Sequence, residues 1–311
     1  MQSPPLERLR RVAASALIAA VLVQAAPRDA GAEESRIVSI GGAVTEILYA
    51  LGEENRIVGV DSTSLYPPQA ANEKTSVGYM RQLSAEGVLG LRPSLILAIE
   101  GSGPKDTLGV LEAAKVPMIV VPDRFSEAGI LEKIHVVAGA VGAPARGECL
   151  ARQVAADLDA LTQFKAAIGT KKRVLFVLSF VNGRALAAGR GTAADGIIRM
   201  AGAVNAIDGF DGYKAINDEA VIAARPDVVL AMRRGGPEDM TADKVFAQPA
   251  FAATPAGAKR SFVSMDGLYL LGFGPRTARA ARDLAAAIYP DLKSTPLPSE
   301  RGPSTTRACA Q

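Results

Sequence analysis

Short runs of apolar, β-branched residues alternate along the chain with stretches whose apolar positions recur at helical spacing. In "RIVSIGGAVTEILYALG", which begins at Arg36, an apolar run is followed by a Gly-Gly turn and then by Ile47, Leu48 and Leu51 on one helix face. The runs "RIVGVD", "LILAIEG" and "PMIVVP" follow as buried strands, with the helical pattern "TLGVLEAAK" before the last of them. Strands that alternate with helices predict βα units and a parallel sheet.

The pattern changes between residues 126 and 167, where strand signals are almost absent and strong helix formers dominate. The stretch "ARGECLARQVAADLDALTQFKAA" predicts a helix of roughly 20 residues, about 30 Å long, which is long enough to span two domains. The run "KRVLFVLSF" then restarts the βα alternation, which continues through "DVVLAM" and "SFVSM" to a last helix in "TARAARDLAAAIYP".

These patterns predict an α/β fold with two Rossmann-like lobes, each around a central parallel-type sheet, joined by a long rigid linker helix. We place the N-terminal lobe at residues 33–143, the linker helix at 144–168 and the C-terminal lobe at 169–291. The Pro-, Ser- and Thr-rich tail at 292–311 is predicted to be disordered.

One segment of the first lobe has a counterpart in the second. Both "VGYMRQLSAEGVLGLRPSLILA", from Val77, and "DGYKAINDEAVIAARPDVVLA", from Asp211, contain Gly-Tyr, a cation, a Glu that opens a helix, Arg-Pro and an apolar run. Two matches in corresponding places favour a genuine pseudo-symmetry. Because ligands of open α/β sheets bind at the carboxyl ends of the strands, two facing lobes predict a ligand cleft between them.

Residues 1–32 have the features of a secretory signal peptide. Three arginines precede an apolar run from Val12 to about Ala26, and "AGA" at 30–32 fits a cleavage site, which places the mature start at Glu33. The alternative is an uncleaved membrane anchor, but about 15 apolar residues are short for a span. We therefore expect export to the periplasm.

Composition narrows the class of protein. An apolar content of 49% and a charged content of 22% describe a folded soluble protein, and a formal net charge of +3 without a basic tract argues against nucleic-acid binding. Cys149 lies in a helical stretch and Cys309 in the polar tail, so we expect no disulfide between them and a core that does not depend on crosslinks.

The available side chains exclude several kinds of site. His135 is the only histidine, so a zinc or manganese carrier that uses several imidazoles is excluded, and we expect His135 to be a packing residue of its helix. The chain has no nucleophile elbow, no P-loop and no dinucleotide fingerprint, and "GFGPRT" near the end is a loop by composition. We therefore expect a protein that is not an enzyme.

The segments "RIVSIGGAVTEILYALG", "IVGVDSTSLYP", "VGYMRQLSAEGVLGLRPSLILA", "LAAGRGTAADGIIRMAGAVNAI", "GYKAINDEAVIAARPDVVLA" and "LLGFGPR" together resemble the periplasmic haem-binding proteins of bacterial haem ABC importers. The resemblance covers nearly all of the mature chain. It places the protein in the broader superfamily of helix-linked binding proteins for cobalamin, siderophores and haem, while the haem assignment depends on fewer residues.

The resemblance implies that Tyr79 is the axial ligand of haem iron, because the family's ligand is a Tyr followed two residues later by a basic side chain, here Arg81. The chemistry agrees with this. A phenol has a pKa near 10, so binding ferric iron as phenolate needs a nearby positive charge. The alternative is a stacked cleft Tyr79 beside a solvated Arg81.

Other cleft candidates follow from the same resemblance. Arg234 matches a family Arg that meets a haem propionate, and Arg233 is its competitor. Tyr213 occupies the place of Tyr79 in the second lobe but lacks an Arg two residues on, so we expect it to line the cleft at most. Tyr66 is expected to be a packing residue. Gly189, Arg190 and Thr192 in "LAAGRGTAAD" are expected to set a loop and a helix start.

In the superfamily, one Glu on each lobe meets Arg residues of the membrane permease, and Glu86 and Glu219 stand at those positions. Capping of a helix dipole is the other interpretation of both acids. The resemblance implies a monomer that captures haem and delivers it to an ABC permease with its ATPase subunits. Haem is then the transported ligand, and no catalytic cofactor is expected. A ferric siderophore or cobalamin carrier is the alternative, and one or two bound haems both remain open.

Overall fold

The strands of the first half form a fully parallel sheet. After each strand, the connecting segment returns the chain to the edge where that strand began, so the next strand runs in the same direction. The computed structural model describes residues 35–292, 296–300 and 309, so the predicted signal peptide lies outside the described residues. The first sheet has the order β3-β2-β1-β4-β5. Its strands are β1 (Ile37–Ile40), β2 (Ile57–Val60), β3 (Thr75–Ser76), β4 (Leu95–Ile99) and β5 (Met118–Val121).

Five helices flank this sheet and complete the first lobe. The apolar positions predicted in the first helix, Ile47 and Leu48, are fully buried against the sheet. The helices are α1 (Gly42–Ala50), α2 (Pro68–Glu73), α3 (Ala85–Leu89), α4 (Lys105–Ala113) and α5 (Glu127–Ala140).

A single long helix, α6 (Pro144–Lys165), leads from the first lobe to the second. Its 22 residues span about 33 Å, and Pro144 starts it, where a missing N–H costs nothing. Leu150, Val154 and Leu161 recur at helical spacing and are buried, so one face of α6 belongs to the core. Within the part of the chain that the structure describes, no helix is apolar over enough length to cross a bilayer.

The second sheet is mixed and not parallel throughout, which differs from the expected parallel-type sheet. Its order is β11-β10-β6-β7-β9, with β8 paired to β6, and β7 runs antiparallel to both of its neighbours. The strands are β6 (Arg173–Val181), β7 (Arg184–Ala188), β8 (Val204–Asn205), β9 (Tyr213–Ile216), β10 (Val228–Arg233) and β11 (Phe262–Asp266).

The α/β two-lobed fold predicted from the sequence is confirmed apart from that hairpin. The remaining helices are α7 (Ala193–Met200), α8 (Asp218–Ala224), α9 (Ala242–Phe246), α10 (Pro249–Ala252), α11 (Pro255–Lys259), α12 (Gly267–Leu271) and α13 (Thr277–Ile288).

One hydrophobic cluster continues through both lobes. It contains Leu97 of the first sheet, Leu158 of the linker helix, Phe176 and Leu230 of the second sheet, and Leu284 of α13. Each of these side chains is at most 3% exposed. The two lobes therefore share a hydrophobic core, and the linker helix is not their only connection.

The repeated segments adopt the same local structure. Ser84 caps α3 by accepting the N–H of Gly87 at 3.3 Å, and Asn217 caps α8 by accepting the N–H of Ala220 at 3.0 Å. Beyond each helix an Arg takes positive φ, 47° at Arg92 and 43° at Arg225.

The expectation of no disulfide is wrong, and the C-terminal tail differs from its predicted disorder at the residues that the structure describes. Cys149 and Cys309 form a disulfide, because the folded chain returns the tail to α6 across a sequence separation of 160 residues. Residues 296–300 are ordered rather than disordered: Leu297 is 3% exposed within the core cluster, and Glu300 forms ion pairs with Arg279 and Arg282 of α13. Apolar burial and charge pairing stabilise a segment whose composition alone indicates disorder.

Candidate functional site

The loop that carries Tyr79 is fixed on one side to the strand beside it. Its start continues the parallel ladder, since the N–H of Val77 donates to the carbonyl of Val60 at 2.9 Å. The N–H of Ser62 donates to the carbonyl of Gly78 at 2.8 Å. Gly78 has a φ of 89°, a backbone conformation that residues with a side chain rarely adopt. The loop therefore needs a glycine directly before Tyr79.

The other side of this loop is tied to the segment after β4. The N–H of Gly103 donates to the carbonyl of Met80 at 2.9 Å, and the N–H of Leu83 donates to the carbonyl of Gly103 at 3.0 Å. Met80 packs against the core, whereas the Tyr79 side chain is 41% exposed. A rigid backbone therefore presents an accessible phenol at the carboxyl edge of the sheet, which is what an iron ligand requires.

Arg81, two residues after Tyr79, is exposed. Its charge acts on the hydroxyl of Tyr213, which stands in β9. Burial raises the pKa of Tyr213, while the N–H of Ala194, the hydroxyl of Thr192 and the charge of Arg81 counteract part of that rise. The charge of Arg81 in the first lobe is thus felt at a hydroxyl of the second lobe.

Tyr213 packs its ring against the core of the second lobe. Its ring meets the buried Phe176 edge to face, with centroids 6.4 Å apart, and the side chain stays 38% exposed. The neighbouring Lys214 lies over the Phe210 ring at 5.2 Å. The sequence expectation that Tyr213 lines the cleft remains a prediction, and this position is compatible with it.

Arg233 and Arg234 stand exposed at the carboxyl end of β10. Asp239 shapes the loop after them, because its carboxylate accepts the N–H of Arg234 at 2.7 Å and that of Gly235 at 3.1 Å. The Arg234 N–H is the main cause that lowers the pKa of Asp239. Arg234 is therefore carried on a structured loop, directly after Arg233 at the end of β10.

The residues around Arg190 form a tight turn and the start of α7. Thr192 caps α7 by accepting the N–H of Asp195 at 3.1 Å, as expected. A Cβ at Gly189 would lie 2.2 Å from the carbonyl oxygen of Phe210, so a side chain does not fit there. Arg190 pairs with Asp211, with its Nε 2.9 Å from the carboxylate. Arg190 is thus engaged within its own lobe.

Tyr66 lies in the loop after β2 and stacks on a cation from the other lobe. The Arg276 guanidinium carbon is 3.4 Å from the centroid of the Tyr66 ring. The same guanidinium forms a bidentate pair with Glu46 of α1. Sequence reasoning missed Glu46 and Arg276, although an acid within the apolar face of α1 was a visible signal.

Glu86 and Glu219 occupy the same position in α3 and α8, in the first turn of each helix. Both side chains are exposed, and no ion pair is recorded for either among the described residues. Each carboxylate lies near the positive end of its helix dipole and still faces solvent. The two acids are thus equivalent, accessible charges, one on each lobe.

His135 is not the packing residue that the sequence suggested. Its side chain is 51% exposed on the outer face of α5, and its Nε2 lies 3.2 Å from the carboxylate of Glu148 in α6. The helix turns its apolar positions Ile134 and Val137 inward instead, so the intervening His faces out. Among the residues that the structure describes, no group of three or more His, Cys, Asp or Glu side chains could hold a metal ion.

A groove of about 780 Å³ is lined in large part by residues of α1, α2, α6 and α13. Tyr49, Tyr66, Gln153 and Arg276 are among its lining residues, and Tyr79 is not. Arg81 and Tyr213 do not line it either, so the groove is distinct from the candidate ligand residues.

Comparison with known proteins agrees with this architecture. The model of the periplasmic binding protein family matches residues 37–268. The chain belongs to the periplasmic binding protein family. One solved member, the periplasmic heme-binding protein BhuT in complex with two hemes, is 41% identical, with a TM-score of 0.78 and coverage of 83% of this chain and 99% of that one.

Two relatives found by sequence are more distant. The uncharacterized ABC transporter substrate-binding lipoprotein YvrC of Bacillus subtilis (strain 168) is 26% identical over 262 residues, covering 83% of this chain and 81% of YvrC. A cobalamin-binding protein of Halobacterium salinarum (strain ATCC 29341 / DSM 671 / R1) is 25% identical over 266 residues, covering 83% and 70%. The predicted membership in this superfamily of periplasmic binding proteins is confirmed.

Proposed function

We propose that this periplasmic binding protein captures haem between its two lobes and delivers it to an ABC permease in the inner membrane. The observation that carries the proposal is the position of Tyr79, an accessible phenol on a backbone fixed from both sides. The 41% identity to a protein described as a periplasmic heme-binding protein supports the same ligand.

Tyr79 provides the axial oxygen ligand of the ferric iron. A phenolate is a hard anionic donor suited to Fe³⁺, and Tyr serves this role in catalase. Arg81 stabilises the anionic ligand by its charge, and the same charge acts on Tyr213 of the second lobe. Met80 between them packs on the core, so the spacing of the two functional side chains is fixed.

The second lobe contributes cations for the two carboxylates of haem. Arg234 is the candidate for a propionate, with Arg233 as its competitor, because both are exposed at the end of β10. A guanidinium binds a carboxylate through two parallel hydrogen bonds. The backbone that carries Arg234 is held by Asp239, which limits the entropy lost on binding.

Delivery uses Glu86 and Glu219. The relative YvrC is described as an ABC transporter substrate-binding lipoprotein, which supports a permease with ATPase subunits as partner. Two equivalent exposed acids, one on each lobe, fit a partner that presents two cations to them. We place the protein in the periplasm as a monomer, exported through the signal peptide at residues 1–32, with lobes at 33–143 and 169–291 and the linker helix at 144–168.

Titration of the mature chain with haemin, followed by visible absorption, tests the proposal. We expect saturation with a ferric tyrosinate spectrum at one equivalent. Saturation at two equivalents would keep haem as the ligand but reject a single site. No spectral change on addition of haemin would reject haem capture.

A ferric siderophore or cobalamin carrier is the second candidate, because one relative is described as a cobalamin-binding protein. The same titration with a ferric catechol siderophore and with cyanocobalamin separates the candidates. The chain has no Trp, so binding is followed by quenching of Tyr emission or by isothermal calorimetry. Binding of one of these ligands in place of haemin would move the assignment to this candidate.

A further inference from the structure

Arg276 belongs to the second lobe but makes its strongest contacts with the first. Its Nε and Nη2 lie 3.0 and 2.9 Å from the two carboxylate oxygens of Glu46, and its backbone N–H donates to the same carboxylate at 3.2 Å. Glu46 is 6% exposed in α1. A buried, bidentate pair with a third hydrogen bond fixes position and direction together.

The Arg276 guanidinium lies directly over the ring of Tyr66, 3.4 Å from its centroid. Tyr66 stands near the end of the loop at residues 61–67, which we call the β2 loop. Asp61 anchors the beginning of this loop by accepting the N–H of Gly41 at 2.8 Å and that of Thr63 at 3.0 Å. Arg276 therefore braces the far end, which Asp61 does not reach.

The β2 loop contacts the loop that carries Tyr79. The N–H of Ser62 donates to the carbonyl of Gly78 at 2.8 Å, and Gly78 is the residue before Tyr79. A continuous series of contacts thus runs from Glu46 through Arg276 and Tyr66 to the backbone of the candidate iron ligand.

A second tie joins the same second-lobe segment to the first lobe. Lys133 of α5, which is fully buried, donates to the carboxylate of Asp123 at 2.6 Å and to the carbonyl of Phe273 at 3.2 Å. Between the two ties lies Gly274, where a Cβ would sit 3.4 Å from the Glu46 carboxyl carbon. Residues 273–276 are therefore held against the first lobe at two points, so the backbone that carries Arg276 is fixed on both sides.

We propose that Arg276 is a positioning residue for the ligand site: anchored by Glu46, it holds the β2 loop and, through that loop, the Tyr79 loop in the geometry that receives the ligand. The identity of the ligand as haem rests on the proposed function above. The positioning of the two loops does not, because it is a property of the protein before any ligand binds. A site held in its binding geometry beforehand loses less entropy on association.

A purely structural role for this buried pair is the competing explanation, and the chain offers a matched control. Glu53 is as buried as Glu46, at 5% against 7% side-chain exposure, and it pairs with Arg56 and Arg146. Arg56 directly precedes β2 and Arg146 lies in α6, so neither partner belongs to the β2 loop or to the Tyr79 loop. Glu53→Gln therefore removes a comparable buried charge without touching the proposed path.

The experiment compares Arg276→Ala, Glu46→Gln and Glu53→Gln by amide hydrogen exchange without ligand and by haemin dissociation kinetics. We expect about tenfold faster exchange in residues 61–67 and 77–83 for the first two variants, and about tenfold faster haemin dissociation, equivalent to about 1.4 kcal/mol. Glu53→Gln is expected to lower thermal stability similarly while leaving both readouts near wild type.

Two results would overturn the proposal. One is an exchange rate in residues 61–67 and 77–83 that does not change in Glu46→Gln and Arg276→Ala. The other is an exchange rate in these segments that rises equally in Glu53→Gln. If Arg276→Ala does not fold, Glu46→Gln, which keeps the shape of the side chain, decides alone. Absence of haemin binding to the wild type would reject the proposed function, and the exchange comparison would still decide the role of Arg276.

Discussion

Arg81 of the first lobe and Tyr213 of the second are close enough for the Arg charge to lower the pKa of the phenol against the rise caused by burial. Arg81 stands two residues from Tyr79, and the two tyrosines occupy corresponding places in the repeated segments. The local sequences differ, however, because Tyr213 is followed by Lys214 and Ala215. The pseudo-symmetric framework thus carries an asymmetric site.

This asymmetry predicts that only one phenol ligates iron. Tyr79→Phe keeps the ring and removes the oxygen, so it should abolish the ferric tyrosinate absorption and weaken haemin binding by at least about tenfold. Tyr213→Phe should retain the tyrosinate band. Titration of both variants with haemin, recorded from 350 to 700 nm, makes the comparison, and loss of the band in Tyr213→Phe alone would assign the ligand to the second lobe.

A second prediction concerns the hydroxyl of Tyr269, which donates to Asp283 at 2.8 Å. Burial, followed by this hydrogen bond and the charge of Asp283, raises the pKa of Tyr269. An unfolded tyrosine ionises near pH 10. Since the folded group keeps its proton to higher pH, its contribution to stability is complete below pH 10 and is lost as the pH rises further.

Tyr269→Phe should therefore lower the free energy of unfolding by about 1 kcal/mol at pH 7, with a smaller difference above pH 10. Tyr49→Phe is the control, because the Tyr49 hydroxyl is buried without a hydrogen-bond partner among the described residues and its removal should cost nothing at pH 7. Urea unfolding at both pH values measures the two changes. Equal losses for the two variants would contradict a stabilising Tyr269–Asp283 bond.

The disulfide between Cys149 and Cys309 predicts a redox-dependent stability. It closes a loop across 160 residues, for which the loss of unfolded-state entropy corresponds to about 2 to 5 kcal/mol. Dithiothreitol should lower the unfolding midpoint of the wild type and leave that of the Cys149→Ser, Cys309→Ser double variant unchanged. A wild-type midpoint that does not respond to reduction would show that the bond contributes nothing.

The sequence predicts the elements whose signal is local. Buried runs such as "LILAI" became parallel strands, and the repeated Glu, Val and Arg-Pro positions became two equivalent helices with equivalent caps. The β6–β7 hairpin was missed although its signal was local too. Asn182-Gly183, both with positive φ in the structure, is the dipeptide that favours a tight hairpin turn.

The remaining features depend on pairs that are distant in sequence. Glu46 and Arg276 are 230 residues apart, and neither residue has a neighbour that indicates the other. The same holds for Glu300, whose partners lie on α13, and for the two cysteines. Hydrophobic periodicity indicates which face of a helix is buried, but the partner of a buried charge is fixed only when the lobes pack together.

The last prediction concerns delivery and the pair Glu86 and Glu219. Exposed ion pairs contribute only about 0 to 1 kcal/mol each, so two acids that meet two permease cations set register and association rate more than affinity. The Glu86→Ala, Glu219→Ala double variant should bind haemin normally and reduce haem uptake by permease reconstituted in liposomes. Substitution of both by Arg should reduce uptake further through like-charge repulsion.

Asp106→Arg is the matched control, since Asp106 is an exposed acid in the first turn of α4 that has no counterpart at the repeated position. It reverses the same kind of charge in the same dipole environment, so any loss that comes only from helix destabilisation appears there too. Uptake and permease-stimulated ATP hydrolysis are measured for all variants beside a haemin titration. Normal uptake by the double Arg variant would leave Glu86 and Glu219 with helix stabilisation as their only role, because two introduced cations would repel the permease cations that the proposed docking requires.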